Sequence, residues 1–133
     1  MKRNSLLGLC LLCTVVANAQ LNIQSGATFL IEGGSTVAVA GDVTSASAIT
    51  GTGTLLLNGT ALQHLDMKGN SLPILQINNG AGVALSGSAV VDQNLDFVSG
   101  QISLDTNNLS LAAAASITGY DNTKYIVTGG TGQ

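Results

Sequence analysis

The feature that most restricts the fold of this chain is a set of short apolar runs that recur at a step of seven residues. Three sets of positions show the step: Leu95, Ile102 and Leu109; Phe97, Leu104 and Leu111; Val83 and Val90. A seven-residue period in a coiled coil needs helix formers and charged flanking positions. Here the intervening segments are turn formers such as Ser99-Gly100 and Asp105–Asn108. The segment that repeats every seven residues is therefore predicted to be a strand of three to five residues followed by a corner.

Two architectures fit this unit, and they differ in what each corner does to the chain. In a sandwich the corners reverse the chain, and Asn58-Gly59 and Asn79-Gly80 are typical hairpin turns. Strands this short are weak in free hairpins, whereas stacked coils pair every strand with neighbours above and below. We predict an all-β, right-handed parallel β-solenoid with three strands per coil, with an open β-sandwich as the alternative. The Ala112–Ala115 run has no amphipathic flanks and is predicted to be a packed strand or a corner.

Aromatic residues are scarce, which favours a thin and regular interior. The 133 residues hold four aromatic side chains and no Trp. A compact domain ordinarily fills its centre with large rings. A core built mainly from Val, Ile, Leu and Ala is what a solenoid requires.

The N-terminus has the three parts of a secretory signal peptide in the expected order. Lys2 and Arg3 are basic, residues 6–16 are mostly apolar, and Ala17-Asn18-Ala19 offers small residues before Gln20. The apolar part is shorter than the roughly 20 residues of a membrane span. We predict that residues 1–19 are a cleaved signal peptide and that residues 20–133 form one β-repeat domain. Export through the inner membrane to a secreted or cell-surface location follows.

Removal of residues 1–19 changes both the cysteine content and the charge. Cys10 and Cys13 lie inside the predicted signal, so the remaining chain has no thiol. It keeps two lysines and no arginine against seven acidic residues, a net charge of −5. Binding to nucleic acid or to anionic lipid needs a basic face, so neither partner is expected, nor is membrane insertion after cleavage.

From residue 58 onward the order of short motifs resembles a known repeat region. The motifs are Asn58–Gln63, Leu75–Asn79, Gly82–Leu85, Leu95–Ile102, Asn108–Leu111 and Tyr125–Gly132. They are similar to the N-terminal β-repeat region of secreted surface proteins of Bacteroidota-type bacteria, many of which the type IX system exports. The resemblance implies a surface location, a structural or adhesive role and no catalytic residues. Proteins of this kind usually continue into further domains and a C-terminal sorting domain, so the chain is expected to be an N-terminal fragment of a larger protein or a truncated reading frame.

Several side chains are candidates for a catalytic or metal-binding role. The only histidine, His64, lies two residues from Asp66 on one side of a predicted strand, but no nucleophile motif accompanies them. Asp92 and Asp96 are the best-spaced carboxylates for glycoside chemistry, which needs one protonated and one ionised acid. Calcium ligands are conceivable at Asp105–Asn108 and Asp121-Asn122, although no established calcium motif is present. We predict no catalytic residue, cofactor or metal site.

The sequence thus favours an exported, adhesin-like, non-enzymatic β-repeat protein of the cell surface. The alternative is a carbohydrate-binding module accessory to a polysaccharide-degrading system, for which Tyr120 and Tyr125 are the candidate glycan contacts. Expected partners are a glycan or other surface proteins. Self-association through open strand edges is a further expectation, because an unpaired edge offers free backbone groups to another chain.

Overall fold

The computed structural model describes residues 19–133, and within that range the chain is all-β. The predicted signal peptide lies outside the described residues except for Ala19. The strands are β1 (Leu21–Ile23), β2 (Phe29–Ile31), β3 (Thr36–Val39), β4 (Val43–Ser45), β5 (Ile49–Gly51), β6 (Thr54–Leu57), β7 (Gln63–Asp66), β8 (Ser71–Asn78), β9 (Val83–Gly87), β10 (Ala89–Ser99), β11 (Ile102–Ser103), β12 (Leu109–Leu111), β13 (Ser116–Thr118) and β14 (Ile126–Val127).

These strands stack as a parallel β-solenoid of about five turns. Face one contains β1, β4, β7, β9, β11 and β14 in that order, and face three contains β3, β6, the later part of β8, the later part of β10, and β13. Face two begins with the β2–β5 pair and continues through the first residues of β8 and β10 to β12. Every pairing between these strands is parallel, which confirms the solenoid and excludes the open sandwich.

The seven-residue step is the distance from one face to the next. Leu95, Ile102 and Leu109 lie on faces three, one and two, and all three are buried. Three such steps complete a coil, and the observed coils take 20 to 22 residues, as the face-one column shows. That column contains Leu21, Val43, Leu65 and Leu85.

Two strands are longer than the predicted three to five residues. β8 has 8 residues and β10 has 11, because in these coils no turn separates face two from face three and the chain stays extended. The pairing of the two strands is interrupted between Val91 and Asn94, where β10 bends. The step from Val83 is one residue longer than seven, since Val91 rather than Val90 enters the core. The pairing of β9 with β7 shifts register between Leu85 and Gly87, within this step.

Apolar side chains of successive coils stack in columns through the interior. The longest column on face three runs through Val37, Leu55, Leu75, Leu95 and Ile117. Its three middle members are fully buried, whereas the first and the last are only partly buried. Because parallel in-register stacking brings like side chains into contact, each coil covers the apolar groups of the next.

Corners, not hairpins, form at both Asn-Gly pairs. Asn79 is buried at the corner between faces three and one, where its Nδ2 donates to Gln63 Oε1 (2.9 Å) and to the carbonyl oxygen of Ala61 (2.7 Å). Gln63 Nε2 donates to the carbonyl oxygens of Val39 and Gly41. All polar groups of this buried pair are thereby partnered, as burial requires. The Ala112–Ala115 run is a corner between β12 and β13, one of the two predicted states.

The interior is least covered at the two ends of the stack. The partly buried apolar residues that pack on the core belong to the first coil and to the last strands: Leu21, Phe29, Val37, Ile117 and Ile126. Residues 19–133 contain no helix of the length and apolarity needed to cross a membrane.

Candidate functional site

A cleft opens where one interior column of face three ends in a glycine. The column contains Val39, Leu57, Ile77 and Phe97, and Gly119 takes the next place above Phe97. Gly119 has φ +71° and brings no side chain to the column. The space of about 330 Å³ that remains is lined by Phe97, Ile117, Tyr120, Tyr125 and Ile126. This volume is within the range of about 300–1,000 Å³ typical of small-molecule sites.

A tight turn places the two tyrosines of this cleft side by side. The backbone N–H of Asp121 donates to the carbonyl oxygen of Lys124 at 2.9 Å. The backbone N–H of Lys124 donates to the carbonyl oxygen of Asp121 at 3.3 Å. Tyr120 and Tyr125 flank this pair, and they are 66% and 43% exposed. The carbonyl oxygen of Tyr125 accepts from the N–H of Ile102, which ties the turn to face one. The structure therefore brings together the two aromatic residues that the sequence analysis singled out.

The carboxylate of Asp121 holds the turn together. It accepts hydrogen bonds from the hydroxyl (2.7 Å) and N–H (2.8 Å) of Thr123 and from the N–H of Lys124 (3.0 Å). The Nζ of Lys124 lies 3.1 Å from its second oxygen. These contacts, the Thr123 hydroxyl first, lower the pKa of Asp121 to about 2. The turn is thus fixed by an ionised carboxylate at neutral pH.

A separate polar groove lies at the corner between faces three and one. We call it the corner groove; it consists of two neighbouring depressions of about 390 and 210 Å³. Both parts share Gly80, Gly100 and Thr123. Lys124 and Gln101 contribute polar side chains to its walls. The turn that carries the tyrosines therefore lines both an apolar and a polar depression.

The surroundings of His64 differ from the His64–Asp66 pair considered from the sequence. His64 and Asp66 do lie on the outward side of β7, with Leu65 buried between them. The carboxylate nearest to His64 is however Asp42, one coil below, whose Oδ1 lies 3.6 Å from Nδ1 of His64. The Oδ1 of Asp42 also accepts a hydrogen bond from the backbone N–H of His64 at 2.8 Å. The pair is therefore a surface contact between neighbouring coils.

Asp92 and Asp96 lie on different parts of β10. Asp92 is exposed at the bend, whereas Asp96 belongs to an outward ladder on face three. Its carboxylate accepts from Gln76 Nε2 and from the hydroxyl of Thr118, both at 2.7 Å. Asp96 is thereby engaged in hydrogen bonds between three successive coils.

The two acidic corners considered for calcium differ in their contacts. Asp105 adopts φ +53°, and its carbonyl oxygen accepts the N–H of Gly132. Asp121 caps its own turn as described. Within residues 19–133, no three His, Cys, Asp or Glu side chains are grouped closely enough to hold a metal ion.

Comparison with known proteins adds no identity: no protein-family model, curated protein or solved structure is detectably similar to this chain. The site must therefore be interpreted from its own geometry. The sequence analysis did not connect the tyrosines with Phe97, Ile117 and Ile126, the three apolar residues that complete the cleft. The seven-residue step could have placed Phe97 in the core, but only the stacking of coils shows that its column ends there.

Proposed function

We propose that this chain is an exported, non-enzymatic β-repeat protein with a structural or adhesive role at a cell surface. The observation that carries the proposal is the unbroken stacking of interior columns through the coils, exemplified by the five residues from Val37 to Ile117. Solenoids of this kind make stiff, elongated bodies with long side surfaces, which suits spacing and display. The signal-like N-terminus and the resemblance to β-repeat regions of surface proteins support the same role.

The test is to locate the protein in its own cells. Surface proteolysis of intact cells, fractionation and mass spectrometry of the N-terminal peptide should together give a surface-accessible species that begins at Gln20. A species that keeps residues 1–19 and stays in the inner-membrane fraction would contradict export. Loss of attachment to surfaces or to other cells on gene deletion would support the adhesive role, whereas a defined substrate turnover by the purified protein would overturn the non-enzymatic one.

A second candidate function is carbohydrate binding as an accessory to polysaccharide degradation. The specific observation in its favour is the convergence of Tyr120 and Tyr125 on one cleft, since aromatic rings present a flat apolar surface with a polar edge. A glycan array should show binding by the wild-type protein and loss of it in Tyr120→Ala and Tyr125→Ala. Leu30→Ala is the matched control, because Leu30 is also an exposed apolar residue (57%) but lies on β2, far from the cleft in the order of coils.

A further inference from the structure

The chain contains two Asn-Gly pairs, and both lie at the corner between faces three and one, in successive coils. Asn58-Gly59 follows β6, and Asn79-Gly80 follows β8. Asparagine followed by glycine is especially prone to deamidation, because glycine has no side chain to hinder the approach of its nitrogen to the asparagine carboxamide. In an unprotected chain these two pairs would therefore be chemically weak points.

The reaction needs a free glycine N–H and a mobile asparagine side chain. The glycine nitrogen attacks Cγ of the asparagine and forms a C–N bond, while the side-chain nitrogen leaves with the glycine amide proton as ammonia. Water then adds to one of the two C–N bonds of the resulting succinimide and gives aspartate or isoaspartate. Isoaspartate carries one additional backbone carbon, which would disturb the register in which the coils stack.

One side-chain oxygen, Oε1 of Gln63, contacts both pairs. It accepts hydrogen bonds from the backbone N–H of Gly59 at 2.7 Å and from the Nδ2 of Asn79 at 2.9 Å. The first contact engages the nitrogen that would attack Asn58, and the second engages the nitrogen that would leave from Asn79. Gln63 is itself buried, and its Nε2 donates to two backbone carbonyl oxygens of the coil below. The oxygen is therefore held against both of its partners.

Glycine is required at position 59 by the same packing. A Cβ there would lie 2.6 Å from the carbonyl oxygen of Ala40 and 2.8 Å from Cδ of Gln63, closer than side chains approach in folded proteins. The tight contact that demands glycine thus also brings Gln63 to the glycine N–H. The reactive pair and its protection have one structural origin.

The two pairs differ in what restrains them besides Gln63. Asn79 is fully buried; its Nδ2 also donates to the carbonyl oxygen of Ala61 (2.7 Å), and its Oδ1 accepts the backbone N–H of Ala81 (2.9 Å). Asn58 is exposed, so water reaches its side chain. Loss of the Gln63 contacts should therefore affect Asn58 first.

From these contacts we propose that Gln63 protects both Asn-Gly pairs from deamidation, and that Asn58 is the site at which this modification begins once the protection is lost. Gln63 acts as a positioning residue, because it restrains the reacting groups and takes no part in bond formation. The proposal goes beyond the structural or adhesive function and does not depend on it.

The wild-type protein gives the first test. Native protein and protein unfolded in guanidinium chloride are incubated at the same mildly alkaline pH, and peptide mapping by mass spectrometry follows aspartate and isoaspartate at Asn58 and Asn79. Both positions should react at least about tenfold more slowly in the native protein, since one net hydrogen bond accounts for a factor of that order. Reaction of native Asn58 at the unfolded rate would overturn the proposal.

The variant Gln63→Leu tests the assignment to Gln63. Deamidation at Asn58 should become about fivefold to tenfold faster in the folded variant, because the N–H of the following glycine loses its acceptor. Asn79 should respond less, because two of its side-chain hydrogen bonds persist. Ile126→Leu, in the same column as Gln63, is the matched control and should react as wild type.

Asn70 is an internal control for general loosening of the fold, because its Nδ2 donates to the carbonyl oxygen of Met67 at 2.8 Å, outside the Gln63 contacts. An unchanged rate at Asn58 in folded Gln63→Leu, or an equal rise at Asn58 and Asn70, would refute the protective role. Circular dichroism shows whether the variant is folded. Gln63→Met, with a flexible apolar side chain, takes its place if it is not.

Discussion

The middle of the solenoid and its C-terminal end are built from the same kind of residue but differ in what covers them. In the middle, Leu75 has Leu55 below it and Leu95 above it, and it is fully buried. At the end, Ile117 has Leu95 below it, remains partly buried and lines the tyrosine cleft. The difference teaches that burial in a solenoid depends on the coil above and below rather than on the residue itself. A stabilising position in one coil thus becomes an accessible surface at the end of the stack.

The sharpest test of this comparison is truncation of the two residues in the same column. Leu75→Ala should lower the free energy of unfolding by about 2–5 kcal/mol, because it leaves a cavity in a region that cannot collapse. Ile117→Ala should lower it by clearly less, because its side chain is already part-exposed. Urea unfolding of both variants checks the difference. Equal losses would show that the end is as tightly packed as the middle.

The buried polar pair of the middle coils gives the next largest effect. Gln63→Leu removes the acceptor of Gly59 N–H (2.7 Å) and of Asn79 Nδ2 (2.9 Å). Leaving such groups unpaired in the interior should cost about 1–3 kcal/mol. Ile126 occupies the same column as Gln63, three coils above, and serves as the comparison position. Ile126→Leu should change the free energy of unfolding little. Hydrogen exchange at Gly59 should rise in Gln63→Leu and stay unchanged in Ile126→Leu.

Two glycines test whether the end coil can move where the middle cannot. At both Gly100 (φ +85°) and Gly119 (φ +71°) a Cβ would overlap the carbonyl oxygen one coil below, that of Asn79 or of Phe97. Gly100→Ala should cost about 1–3 kcal/mol, because alanine is strained at this φ and its Cβ would overlap the carbonyl oxygen of Asn79. Gly119→Ala should cost less, because the terminal strand can shift. Gly69→Ala, with φ +81° and open space around it, isolates the cost of the backbone conformation alone.

The smallest expected effect concerns pH and the turn at the end. The pKa of Asp121 is lowered from 3.8 to about 2, so its contribution to stability is fully present above about pH 4. That contribution is lost as the pH falls toward 2, while the middle coils, which the turn does not support, keep their packing. Amide shifts of Thr123 and Lys124 followed by NMR from pH 5 to 2 check this. In Asp121→Asn the transition should vanish; its persistence would assign it to another group.

Much of the fold follows from the sequence, and the reasons are local. The seven-residue recurrence of Leu95, Ile102 and Leu109 predicts one strand per face, and the structure confirms that interpretation. The length of β10 could not be predicted in this way. Its continuity depends on whether the chain stays extended at the corner between faces two and three, where the pairing with β8 is interrupted. That is decided by the neighbouring coil. Val90, placed inward by the seven-residue step, gives way to Val91, and the register shift of β9 between Leu85 and Gly87 lies within that step.

The candidate site divides in the same manner. The scarcity of aromatics directs attention to Tyr120 and Tyr125 from the sequence alone, and the Asp121–Lys124 turn between them has a local origin in the Asp121 side chain. The cleft itself depends on Gly119 lying above Phe97, two residues 22 positions apart. No pattern within one coil reports that relation.

By itself, the sequence determined the strand-and-corner unit, the apolar interior and the two aromatic residues of interest, because periodicity and turn chemistry act over a few residues. The tertiary structure alone decided which columns are complete and which end in an open cleft, where Gln63 and Asn79 find their partners, and that His64 faces Asp42 rather than Asp66. The physical reason is that these contacts join residues of different coils, and their presence depends on the register in which one coil stacks upon the next.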